Sequence, residues 1–165
     1  MTHRDILLPG RGVRTLFVVL FAALAFTGVG QMPLFKRFYI ADIPGLGWSG
    51  DFYLTHTIHY LGATVLLGLL AYILTHYFLS LRQKYTLSIP GAVRGLFLGA
   101  LVLTGILRVF KNLPQVTFSP ALTMFIDISH LAFMLLFLIA AASFRLLGQG
   151  WLKPKMMPLR GAART

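Results

Sequence analysis

Histidines within apolar stretches are the residues of this sequence best suited to chemistry. The stretch 51–81 is mostly apolar, contains no proline and carries His56, His59 and His76, three of the five histidines in the chain. His130 lies in a later apolar stretch. An ionisable side chain inside a segment of membrane-spanning length is costly unless it has a partner, so each of these histidines is a candidate functional residue.

The composition predicts a membrane protein. The chain has 165 residues, of which 57% are hydrophobic and 12% charged, and its mean hydropathy is +0.78. A soluble domain has about 45–50% apolar and about 25% charged residues. There are no cysteines, which excludes disulfides, Fe–S ligation and covalent haem attachment through this chain. The net charge of +11 fits basic residues that flank membrane spans, so we expect no nucleic-acid partner.

Four apolar segments predict an all-α fold, an integral membrane four-helix bundle that forms a single transmembrane domain over 1–165. The predicted spans are about 13–32, 51–81, 91–111 and 121–147. The connector 33–50 mixes aromatic and charged residues, which suits a segment at the membrane–water interface. The tail 148–165 is basic and rich in Pro and Gly, and we expect it to be partly disordered. The first apolar run lacks a clean cleavage site and is long, so it is interpreted as a retained helix rather than a signal peptide.

The distribution of basic residues predicts that both termini are cytoplasmic. Four spans put the two termini on one side of the membrane, and that side would carry eleven of the 15 Lys and Arg residues, against four on the other. Basic residues are enriched on the cytoplasmic side of membrane proteins. The expected location is therefore a membrane that the chain crosses several times, and the resemblance described below implies a bacterial inner membrane.

His59 and His130 are predicted to lie at matching depths. His56 and His59 are about five and eight residues from the outer end of span two, and His130 is about nine from the outer end of span four, which corresponds to depths of roughly 8–14 Å. Facing helices of bundles commonly build cofactor sites, so His59 and His130 are predicted to ligate the iron of one haem b. His56 is less favoured as a ligand and could bond a propionate or lie at a quinone or partner surface. Gly62, one turn after His59, would leave room for a porphyrin.

The haem propionates would need basic partners, and the outer ends of the spans offer Lys36, Arg37, Arg108 and Lys111. Asp127 lies one turn before His130 and could orient a histidine, bond a basic residue or pass protons. His76 lies roughly 25 Å along the helix axis from His59. We assign His76 to the interface or to a quinone pocket, with a second haem as the alternative.

The surroundings of these histidines resemble a known family, the membrane cytochrome b subunits of formate dehydrogenases and nickel–iron hydrogenases, with the related bacterial cytochrome b561 proteins. His59 lies in HYLGA, His130 lies in ISHLAF, and Thr-Gly pairs stand in spans one and three, the latter followed by Arg108. The resemblance implies that His59 and His130 ligate an outer haem. The family's inner haem would need histidines where this chain has Arg14 and Phe144, so one haem is expected here, with two as the alternative.

The resemblance also implies electron transfer between a periplasmic Fe–S subunit and a quinone. We therefore predict a membrane-anchored b-type cytochrome subunit of a respiratory oxidoreductase, which carries electrons between an extracytoplasmic Fe–S or cytochrome subunit and the quinone pool. Any substrate chemistry would belong to the partner. Two alternatives stay open: a haem-free scaffold or small transporter with a histidine proton relay, and a free-standing cytochrome b561-like oxidoreductase.

Overall fold

The chain is mostly helical, and its contacts divide it into two units. A computed structural model describes residues 7–8, 10–32 and 34–155. Among these residues, one compact unit extends over Leu7–Leu81 and the other begins at residue 82. Each unit contains one pair of long helices that pack against each other.

The first unit consists of two long helices joined by short turns. Its elements are α1 (Gly10–Gly30), the short helix α2 (Leu34–Arg37), two 3₁₀ turns (Ile40–Asp42 and Gly47–Gly50) and α3 (Phe52–His76), which continues through one π-helical turn (Tyr77–Leu81). Asp51 starts α3, because its carboxylate accepts hydrogen bonds from the backbone N–H groups of Tyr53 and Leu54 at 2.9 and 3.1 Å.

Helices α1 and α3 pack antiparallel, and a glycine allows them to approach closely. A Cβ built on Gly62 of α3 would lie 3.0 Å from Cδ2 of Leu24 on α1. The sequence predicts that Gly62 leaves room for a porphyrin, whereas in the structure this space is taken by Leu24. We therefore correct the role of Gly62 to helix packing. The connector folds back on α1, where Phe35 is buried and its ring centroid lies 5.0 Å from that of Phe26.

The second unit is a second pair of antiparallel helices with a small β-ribbon at one end. Its elements are β1 (Tyr85–Leu87), α4 (Ile89–Phe110), α5 (Pro120–Leu146) and β2 (Leu152–Pro154). Each helix has a serine N-cap followed by a proline in the first turn. The two strands pair antiparallel, with Thr86 opposite Lys153.

The chain is mostly helical, as predicted, but the ribbon itself was not predicted, and its second strand lies in the predicted tail. Beyond the strand pairing, the backbone N–H of Ser88 donates to the carbonyl of Trp151 at 3.0 Å. A Cβ on Gly91 would collide with this same carbonyl oxygen, so only glycine fits there. Three-residue strands far apart in the sequence leave no readable periodicity, which explains why they were missed. The remainder of the predicted tail, 156–165, lies outside the described residues.

Four helices are long and apolar enough to cross a membrane: Gly10–Gly30, Phe52–Leu81, Ile89–Phe110 and Pro120–Leu146. They coincide closely with the four predicted spans. Their surfaces expose large apolar side chains such as Leu61, Leu96 and Ile139, at 65, 69 and 62% of their areas. Apolar surface on this scale is typical of helices that face lipid, so the structure indicates a protein that spans the membrane several times.

Candidate functional site

In the first unit, a threonine of α1 holds a histidine of α3. The hydroxyl oxygen of Thr27 lies 3.0 Å from Nδ1 of His59. Thr27 is 2% exposed, and its hydroxyl is also 2.9 Å from the carbonyl oxygen of Ala23, one turn earlier in α1. His59 itself is only partly buried. The threonine thus fixes the orientation of an imidazole that is not fully enclosed within its own unit.

The second unit repeats this arrangement with different residues. The hydroxyl oxygen of Thr104 on α4 lies 3.0 Å from Nδ1 of His130 on α5. It is also 2.9 Å from the carbonyl oxygen of Ala100. Thr104 is buried and His130 is partly buried, as in the first unit.

These contacts determine which imidazole nitrogen carries the proton. A hydroxyl has one proton to donate, and a backbone carbonyl can only accept, so the threonine proton goes to the carbonyl. The threonine oxygen must then accept the N–H of the histidine at Nδ1. Nε2 is left with the lone pair in a neutral imidazole, which is the form and the nitrogen that a metal requires. Both histidines therefore donate through Nδ1, which leaves Nε2 as the nitrogen that could bind a metal.

A glycine next to each threonine makes room for the ring. A Cβ built on Gly28 would lie 3.2 Å from Cε1 of His59, and a Cβ built on Gly105 would lie 3.2 Å from Cε1 of His130. Such contacts are tighter than ordinary van der Waals packing. The Thr-Gly dipeptide therefore supplies both the hydrogen-bond acceptor and the space for the histidine.

The buried positions show that the two units are repeats of one another. A constant shift in numbering takes the buried residues Phe21, Leu24 and Thr27 of α1 onto Leu98, Leu101 and Thr104 of α4, all of which are also buried. A second constant shift takes Thr55, Leu66 and Leu69 of α3 onto Ile126, Phe137 and Ala140 of α5. The same shifts superimpose the two Thr-Gly dipeptides and the two histidines.

One turn nearer the helix ends, the equivalent positions carry different chemistry. In the first unit, Nδ1 of His56 lies 3.1 Å from the amide oxygen of Gln31. The His56 ring also lies between Phe52 and Tyr60, with ring centroids 5.4 and 4.2 Å away. The second unit replaces Gln31 with Arg108 and His56 with Asp127. The first unit thus has an aromatic, uncharged pair where the second has an ion pair.

The ion pair of the second unit includes a third residue. Nε of Arg108 is 3.0 Å from one carboxylate oxygen of Asp127, and Nζ of Lys111 is 2.7 Å from the other. Of the three roles considered for Asp127, the structure shows the one in which it bonds basic residues. Two cations share one carboxylate, so the cluster keeps one net positive charge. Arg108 and Lys111, predicted as propionate partners, are therefore already engaged with Asp127.

The remaining candidate, His76, is the last residue of α3 and lies far along that helix from His59.

At the corresponding end of the second unit, Arg94 is 4% exposed, and its guanidinium stacks 4.4 Å from the Trp151 ring and 5.6 Å from the Phe144 ring. Arg94 was counted with the basic residues that face the cytoplasm, but it is a buried structural residue. Phe144 packs on Arg94. In the family that the sequence resembles, the inner haem would need a histidine at this position.

Sequence reasoning found the histidines but not their threonine partners. The Thr-Gly pairs were noted only as one of the features that carry the family resemblance. The informative signal was the paired spacing, Thr-Gly-x-x-Gln with His-x-x-His in the first unit and Thr-Gly-x-x-Arg with Asp-x-x-His in the second. Two copies of this spacing would have identified the repeat.

Comparisons with known proteins leave the family open. No protein-family model matches the chain, and no curated protein or solved structure matches it with significant similarity. Among the described residues, no group of three or more His, Cys, Asp or Glu side chains could hold a metal ion. Each unit does present one histidine that is held by a threonine, His59 in the first and His130 in the second.

Proposed function

We propose that this protein is a membrane b-type cytochrome in which His59 and His130 are the axial ligands of one haem. The observation that supports this most directly is the repeated Thr–His pair, with the same 3.0 Å contact in both units. Two histidines would be needed to hold the haem iron from both sides, and each unit positions one through its Nδ1 contact with a threonine. The haem would supply reversible one-electron transfer.

The chain's own residues would set the properties of that site. Thr27 and Thr104 hold the imidazoles in one orientation and make them more basic through the Nδ1 hydrogen bonds. Gly28 and Gly105 let the rings lie close to α1 and α4. The apolar helices keep water away, and burial and ligand basicity together tune the reduction potential.

The second unit is suited to the haem propionates. The cluster of Arg108, Lys111 and Asp127 has one positive charge in excess and lies one turn from His130, and its cations are only partly exposed. Carboxylates bind such cations by charge-assisted hydrogen bonds. His56 and Gln31 offer an uncharged polar pair at the equivalent level of the first unit.

The proposed orientation places both termini in the cytoplasm of a bacterial inner membrane. The excess of basic residues on the termini side supports it, and removing the buried Arg94 from that side leaves the excess in place. Reporter fusions at Asp42 and at the carboxyl terminus should report opposite sides of the membrane. If both report the same side, this orientation is wrong.

The proposed partners are an extracytoplasmic Fe–S or cytochrome subunit and the quinone pool. The connector exposes Lys36, Arg37, Phe38 and Tyr39 together, the mixture of aromatic and basic residues that is enriched at interfaces. Quinone is placed near His56 rather than His76, because His76 is roughly 25 Å from His59 along the axis, too far for direct transfer to a single haem. Replacing Lys36 and Arg37 with Glu should release the partner while leaving haem bound.

The decisive experiment is a reduced-minus-oxidised spectrum of the purified protein, with the ratio of haem to protein. The proposal expects a b-type spectrum and a ratio near one. His59→Ala and His130→Ala should each abolish or drastically reduce the haem, whereas His76→Ala serves as the matched control and should keep it. A colourless wild-type protein would reject the proposal, and a ratio near two would make His76 a ligand.

A further inference from the structure

The β-ribbon of the second unit has one basic face and one apolar face. Because side chains alternate along a strand, Lys84 and Thr86 share a face with Lys153 and Lys155 of the opposing strand. The other face carries Tyr85, Leu87, Leu152 and Pro154. The three lysines are all exposed. This ribbon is thus amphipathic in a chain whose other described elements are mainly apolar helices.

The basic face concentrates positive charge, and the described segments that form the ribbon contribute no acidic side chain. Lys84 and Lys155 lie directly opposite each other, because the backbone N–H of Lys155 donates to the carbonyl of Lys84 at 3.0 Å. Like charges at directly opposed positions destabilise a strand pair. The segments 82–89 and 148–155 contain no Asp or Glu. An anion bound at this face would therefore relieve a repulsion that is built into the ribbon.

Several hydrogen bonds hold the ribbon in place. Oγ of Ser88 donates to the carbonyl of Gly150 at 2.7 Å, and Nη2 of Arg94 donates to the carbonyl of Gln149 at 3.1 Å. Nζ of Lys155 donates to the carbonyl of Arg82 at 2.7 Å, which leaves two of its three ammonium protons for a ligand. The lysines are thus presented on a fixed backbone, so less entropy is lost when they bind an anion.

The position of the ribbon indicates which anion it meets. It joins the start of α4 to the end of α5, so it lies at the end of two helices that are long and apolar enough to cross a membrane. That end of a span reaches the lipid headgroups. We propose that the basic face of the ribbon (Lys84, Lys153 and Lys155) binds the phosphate groups of anionic phospholipids, while its apolar face lies towards the acyl chains. This site does not depend on the haem.

The test uses the full-length protein purified in detergent and an equimolar mixture of phosphatidylglycerol and phosphatidylcholine. Native mass spectrometry measures the ratio of the two lipids retained. The wild-type protein should prefer phosphatidylglycerol, and this preference should fall as salt is added. Changing all three lysines to Gln should lower the preference on the order of a hundredfold, at about fivefold for each lysine.

Two matched variants test whether the lipid preference depends on the positive charge of the ribbon, rather than on the lysine side chains themselves or on positive charge elsewhere in the chain. Replacing the three lysines with Arg should keep the preference. Replacing Lys36 and Arg37 of the first unit with Gln should also keep it, although that variant removes exposed positive charge as well. The proposal is overturned if the Gln ribbon variant binds like wild type, or if the Arg variant loses the preference. It is also overturned if wild type shows no preference at low salt, whatever the variants do.

Discussion

The two units support a histidine in the same way but surround it differently. Thr27 and Thr104 each accept a hydrogen bond from a histidine Nδ1 at 3.0 Å. One turn away, an uncharged Gln31–His56 pair in the first unit corresponds to a charged Arg108–Asp127 pair in the second. Both units thus hold a histidine through a threonine, whereas the polar residues one turn away differ between the units. Variants at equivalent positions can test whether this division holds.

The largest effect on the repeated feature is expected from filling the glycine positions. Gly28→Val and Gly105→Val should each lower haem content at least about tenfold, because the added side chain would overlap His59 or His130. Gly12 on α1 and Gly99 on α4 have open space around them, so Gly12→Val and Gly99→Val are matched controls. Haem content per protein is the measurement. Equal losses in the controls would show that the helices, rather than the histidines, are being disturbed.

The next largest effect should come from removing the hydrogen-bond acceptors. Thr27→Val and Thr104→Val should each weaken haem binding about tenfold and shift the reduction potential, while Thr→Ser at the same positions should restore both. Thr64 makes a similar bond to its own helix but is exposed, so Thr64→Val is the control. Redox titration and haem dissociation rates measure these effects. Markedly unequal effects of Thr27→Val and Thr104→Val would show that the two threonines do not support their histidines equally.

The smallest effects should distinguish the two units. Asp127→Asn leaves the cations Arg108 and Lys111 facing each other and should lower the free energy of unfolding by about 1 kcal/mol, an effect that salt reduces because the groups are partly exposed. Gln31→Ala, in the uncharged pair, should cost about 0.5 kcal/mol with little dependence on salt. Thermal unfolding in detergent at two salt concentrations measures both. A salt-sensitive Gln31→Ala variant would contradict the assignment of an uncharged pair.

Sequence periodicity predicted the parts of this molecule that depend on long apolar runs. The four long helices and their ends follow from such runs and from breakers and caps such as Pro33, Asp51 and Pro90. The positions of His59 on α3 and of His130 on α5 also follow from these runs. These features are local, so the sequence contains them directly.

Contacts between distant residues were not predictable in the same way. The space beside Gly62 is taken by Leu24 of another helix, and Arg94 is buried by Trp151 and Phe144 rather than exposed to headgroups. Each outcome depends on which residue of a neighbouring element lies opposite. A single sequence gives the composition of a helix face but not its partner, so the contacts of Arg108 and Lys111 with Asp127 could not be predicted.

The β-ribbon has a consequence for how the chain is made. Strand β1 precedes both helices of the second unit, and β2 follows them, so β1 emerges from the ribosome long before its pairing partner exists. Arg94 is in the same situation, since its carbonyl acceptor at Gln149 and its stacking partner Trp151 are synthesised after α5. Closure of the ribbon is therefore a late event in biogenesis, which can occur only once both helices of the second unit have been synthesised.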